Sequence, residues 1–68
     1  MCIDGTIPGG VDSPSYGLQC SDWAMDYYNG LGDADCLVEY EWYAIYDGFT
    51  SAEMDEIRTS CPLTCGMC

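Results

Sequence analysis

Three stretches of the chain carry a periodic apolar pattern, and each predicts a short helix. In residues 21–29, SDWAMDYYN, Trp23 and Tyr27 fall at i and i+4 on one face with Asp22 and Asp26 beside them, which is the spacing of an amphipathic helix. Ser21 or Asp22 supplies its N-cap and Gly30 its stop. Residues 36–46, CLVEYEWYAIY, fit two periods at once. Val38, Tyr40, Trp42 and Ala44 alternate with Glu39 and Glu41 as in a strand, whereas Val38, Trp42 and Ile45 keep helical spacing. Helix is the better reading, because Asp35 offers an N-cap, Asp47-Gly48 a stop, and no second strand pattern exists to pair with.

The third stretch, residues 51–60, opens on Thr50-Ser51-Ala52-Glu53. This is a capping box, in which the Thr50 hydroxyl and the Glu53 carboxylate each satisfy a free backbone amide. Met54, Ile57 and Cys61 then lie at i, i+3 and i+7 on the buried face, and Arg58 in the last turn suits the negative end of the helix dipole. Pro62 disfavours helical geometry at Cys61, so the chain turns there and starts a final short segment. Ahead of all three helices, residues 3–19 carry Gly5, Pro8, Gly9, Gly10 and Pro14 and read as a surface loop anchored only by Cys2.

The cysteines change this picture from marginal to stable. A chain of 68 residues makes one domain, 1–68, and buries too little apolar surface to fold comfortably without a staple. Cys2, Cys20, Cys36, Cys61, Cys65 and Cys68 are even in number and spread from end to end, as a disulfide framework requires. Cys61, Cys65 and Cys68 could also hold three corners of a metal site, but no histidine is present and the other cysteines stand alone. Three disulfides are therefore expected, in a small disulfide-rich fold of short α-helices and loops. Spacing alone leaves fifteen pairings open. Such thiols stay oxidised in a secreted or organelle-lumen setting and not in the cytosol. No apolar run is long enough to span a bilayer, so no transmembrane segment is expected, and only Met1 precedes Cys2, so a cleaved targeting peptide is not visible.

Charge narrows the partners. Twelve acidic residues against one basic residue give a formal charge of -11. Affinity for nucleic acid rests on Lys and Arg, of which this chain has only Arg58, so nucleic acid is excluded, and anionic lipid is disfavoured on the same grounds. The acidity either confers solubility or docks the module on a basic surface.

Catalytic chemistry has little to work with. Histidine and lysine are absent and all six cysteines are expected to be oxidised, so nucleophile-base pairs cannot be assembled. Asp22 with Asp26, or Asp33 with Asp35, would need a cleft that separates their pKa values. Asp33, Asp35 and Glu39 offer oxygens for calcium, but the spacing of a dedicated loop is missing. No cofactor or metal is therefore expected. The aromatics say more. Trp23, Trp42, Phe49 and six tyrosines are too many for a core already occupied by cystines, and Tyr and Trp are the residues of binding hot spots.

The tail CPLTCGMC, with Met54 seven positions before Cys61, Cys20-Ser-Asp-Trp23-Ala24 upstream and Cys2-Ile-Asp4 at the start, resembles the ShK toxin-like domain family, ShKT. The resemblance implies that Cys2 pairs with Cys68, Cys20 with Cys61 and Cys36 with Cys65. Two departures stand out. The Cys20–Cys36 and Cys36–Cys61 intervals are expanded, the second by EWYAIYDGF. Directly after Met54, where channel-blocking members carry a lysine-tyrosine dyad, this chain has Asp55 and Glu56, which reverses the charge that a cation pore attracts.

These readings converge on a non-catalytic protein-protein interaction module, with a toxin-like ion-channel effector as the alternative. A third possibility is carbohydrate stacking on Trp42 and Tyr43. The expected partner-binding surface is Tyr40, Trp42 and Tyr43 rimmed by Glu39 and Glu41, facing a protein with a basic or apolar-basic surface.

Overall fold

The computed structural model describes residues 2–68. Helices α1 (Cys20–Trp23), α2 (Glu41–Tyr46) and α3 (Ser51–Ser60) are joined by loops, with a single 3-10 turn (Val38–Tyr40) leading into α2. There is no strand among the described residues, and no helix there is long and apolar enough to cross a membrane.

Of the three helices, α3 follows its local code most closely. Thr50 is its N-cap: its hydroxyl accepts from the Glu53 amide at 3.1 Å, and the Glu53 carboxylate accepts from the Thr50 amide at 3.2 Å. Met54 and Ile57 are buried on the expected face, and Cys61 ends the helix. Helix α2 also stops where expected. Gly48 takes φ +114°, the Gly48 amide donates to Ile45 and the Phe49 amide to Ala44, so two end carbonyls are satisfied in a Schellman arrangement. Phe49 and Ala44 are both buried in the core beneath it.

Helix α1 is far shorter than the 21–29 pattern predicts. In a continuing helix the Trp23 carbonyl would accept from the Tyr27 amide. Instead it accepts from the Asp35 amide at 3.0 Å, while the Tyr27 amide donates to the Asp35 carboxylate at 2.7 Å. Asp35 thereby replaces both ends of the bond that would have extended α1. Its buried carboxylate also accepts from the Tyr28 amide and the Asn29 side chain, so it organises residues 27–29 and does not cap α2. The N-cap of α1 is Gln19, two residues ahead of the nearer expected candidate, Ser21, with Asp22 reaching back to the Gln19 amide.

Three cystines join Cys2 to Cys68, Cys20 to Cys61 and Cys36 to Cys65, with Cα–Cα separations of 6.2, 5.5 and 5.4 Å. These are the pairs that the ShKT resemblance implies. Each has one end in the last eight residues, so the tail is tied to three different parts of the chain. A chain held this way belongs to an oxidising compartment. Around Cys36, Cys61 and Cys65 the core gathers Met54, Ile57, Ala44, Ile7 and an edge-to-face pair of Trp23 and Phe49, 5.1 Å between centroids. The Trp23 indole N–H is buried there with no acceptor among the described residues. Leaving such a donor unpaired costs about 1–3 kcal/mol, which burial of so large a ring offsets.

Residues 3–19 are held by more than Cys2. Ile7 lies in the core, the Gly5 amide donates to the Ser60 carbonyl at 2.6 Å, and the Ser13 hydroxyl donates to Glu53 at 3.0 Å. A clasp also closes the two ends. The Asp4 carboxylate accepts from the Thr64 hydroxyl and from the Thr64 and Leu63 amides. Those bonds, the Thr64 hydroxyl foremost, hold the Asp4 carboxyl below its ordinary pKa.

Candidate interaction surface

Helix α2 is short, and its buried side is a single small residue, Ala44. The helically spaced residues Val38, Trp42 and Ile45 all face solvent, with Trp42 61% exposed. Tyr46, one turn on from Trp42, is 94% exposed. Ala44 joins Met54, Ile57 and the cystines in the core cluster, and the larger side chains of α2 stay outside it.

The aromatic side chains of this region are organised. Trp42 and Tyr43 stack with centroids 3.7 Å apart and planes 26° apart, and Tyr43 meets Tyr40 at 6.4 Å in a tilted arrangement. The Tyr40 hydroxyl donates to Asp33 at 2.7 Å, which fastens the row to the preceding loop. Of the two carboxylates expected at the rim, Glu39 is exposed. Glu41 is not free to meet a partner. It accepts from Arg58 at 2.8 Å and from the Ser51 hydroxyl at 3.2 Å, joining α2 to α3. Sequence reasoning placed Arg58 at the helix dipole, but it is buried and bound to Glu41 and Asp55. Burial alone would lower its pKa, and the two carboxylates outweigh that and raise it.

Four other acidic side chains are also engaged. Asp22 accepts from the Gln19 amide, Asp26 from the Gly32 amide, Asp33 from Tyr40, and Asp35 from three N–H groups. They act here as acceptors that shape loops. Among the described residues, no three His, Cys, Asp or Glu side chains are grouped to hold a metal ion.

Two of these bonds set a measurable pH response. Tyr40 donates to Asp33 and Tyr28 to Asp47, each at 2.7 Å, and both phenols are pushed up to about 12. In each case the hydrogen bond is the leading cause, with burial and nearby negative charge adding to it. Ultraviolet titration should therefore show two phenolates forming near pH 12, and Tyr28→Phe should remove one of them. Because the folded values lie above the ordinary value of 10.0, the stability these bonds contribute is complete below pH 10. It is lost as pH rises towards 12. Six tyrosines titrating together near 10 would contradict both bonds.

Compared with family models, with curated proteins and with solved structures, the chain gives no match.

Proposed function

We propose that this chain is a non-catalytic protein-protein interaction module of ShKT type, docking on a larger partner through the outer side of α2. It acts as a free secreted domain or as a small fixed subunit of an extracellular or organelle-lumen assembly, such as one in a thylakoid lumen. The observation that supports this reading best is the outward stripe of α2, with Trp42, Ile45 and Tyr46 exposed together on one side of a helix. Contiguous exposed apolar surface of this kind marks contact sites. With Glu39 at its edge and a net charge of -11, its complement is an apolar surface edged by Lys or Arg.

The test starts from native material, in which cross-linking should recover a bound protein. Trp42→Ala should then weaken that complex by about 2 kcal/mol or more, as truncation of a hot-spot residue does. The fold should lose only the Trp42–Tyr43 stack, about 0.5–1.5 kcal/mol. Glu39→Lys should mainly slow association and flatten its salt dependence. Recovery of the monomer alone, or a complex indifferent to Trp42, would remove the support for this reading.

A further inference from the structure

A second surface lies between α1 and the turn that follows it. Trp23, Met25, Tyr27, Tyr28, Phe49 and Asp22 line a groove of about 340 Å³. Trp23 and Phe49, paired edge to face at 77°, reach it from the core and are only 3% and 6% exposed, while Tyr27 and Tyr28, paired at 5.3 Å and 72°, offer the accessible rings. Tyr27 is 77% exposed and Met25 59%, so both side chains stand largely open among the described residues.

The walls are fixed in advance. Asp35 accepts from the amides of both Tyr27 and Tyr28, and Asp47 holds the Tyr28 hydroxyl. Little ordering then remains to be done on binding. The charge around the groove has one sign. Asp22 lines it, Asp26 precedes Tyr27 and Asp47 bonds to Tyr28, while the chain's single cation, Arg58, is committed to Glu41 and Asp55. The accessible tyrosine rings beside these carboxylates attract a cation that also carries apolar surface. A guanidinium fits best, because it is planar, weakly hydrated and stacks on aromatic faces. A second copy of this chain is a poor occupant, since it brings the same -11 charge and no free cation.

We propose that this groove receives an arginine side chain of a protein partner. The inference shares with the proposed function only the basic character of the partner. It uses a different surface, so Trp42→Ala leaves groove binding unchanged and the two readings fail separately.

The test is an NMR titration of the intact, oxidised protein with acetyl-Gly-X-Gly-amide peptides in which X is arginine, citrulline or leucine. The arginine peptide should shift the Met25 methyl, the Trp23 indole N–H and the Tyr27 and Tyr28 ring signals, with a midpoint on the order of millimolar. Citrulline, which has the same shape without the charge, and leucine should bind at least about tenfold more weakly. Tyr27→Ala should weaken arginine binding by about threefold to thirtyfold while the fingerprint of the core residues Met54 and Ile57 is retained. Equal binding of arginine and citrulline would overturn the proposal, as would equal binding of leucine, which would make the site a plain apolar groove. So would shifts spread over all the acidic residues, self-association that covers Tyr27, or no shift at the groove up to about 50 mM peptide, far beyond the expected midpoint.

Discussion

Replacing both Cys36 and Cys65 by alanine should lower the stability of the oxidised protein by about 3.5 kcal/mol from chain entropy alone, given the loop that this bridge closes. The separation along the chain is 29 residues, and both cysteines are fully buried. Cavities left by two buried sulfurs add to the loss. A domain of this size has only about 3–10 kcal/mol in total, so much of the population should unfold at room temperature. Removing Cys2 and Cys68 instead opens a longer loop, with a separation of 66, and entropy alone ranks it as the costlier change. Cys68 is exposed, however, and the Asp4–Thr64 clasp still holds the ends together. The expected order is therefore Cys36–Cys65 above Cys2–Cys68 in urea denaturation. The reverse order would show that loop entropy outweighs packing in this core.

Arg58→Met should cost about 2–3 kcal/mol. The guanidinium is 6% exposed and bonds to a Glu41 carboxylate that is itself 24% exposed, so its loss strands a largely buried negative charge. The figure is below that for a fully buried pair, because the second partner, Asp55, is 76% exposed and contributes little. The Cys36 carbonyl also loses a long contact at 3.4 Å. Changing Glu41 to Gln in the same molecule should recover about 1 kcal/mol or more, because the stranded charge is then gone. Arg58→Lys should recover less than its charge suggests, since one ammonium cannot reach two carboxylates and a carbonyl with the same fork. A denaturation midpoint for Arg58→Met equal to that of the parent would mean that the α2–α3 bridge carries no stability.

What could be read from the sequence divides by range. The third helix is written locally: its cap, buried face and end are all set by neighbours within a few residues. The first helix is cut short by Asp35, and no pattern within residues 21–29 announces a carboxylate seven residues beyond Tyr28 and eight beyond Tyr27 that accepts their amides. Residues 36–46 have a helical period that the fold keeps from Val38 on, but the period does not reveal that Ala44 is the side chain of these helical turns that is buried. Of the expected surface, Tyr40, Trp42 and Tyr43 come together, Glu39 stands free, and Glu41 is claimed by Arg58. The groove was out of reach for the same reason as Asp35. Its lining comes from Leu18, from residues 22–28 and from Phe49, which only the folded chain brings side by side.

The placement of the cystines also governs what cutting the backbone would do. Every bridge runs from Cys2, Cys20 or Cys36 to a cysteine at or after Cys61. A single peptide bond broken anywhere between Cys36 and Cys61, a stretch that holds all of α2 and α3, yields two pieces still joined three times over. The sole site with a basic residue for a protease to grip, Arg58, lies within that stretch and is buried in the folded helix. A nick there changes neither the mass lost to solution nor the attachment of the tail to the rest. After a single cut, separating the two pieces requires reduction of all three bridges, which makes their attachment a property of the connectivity.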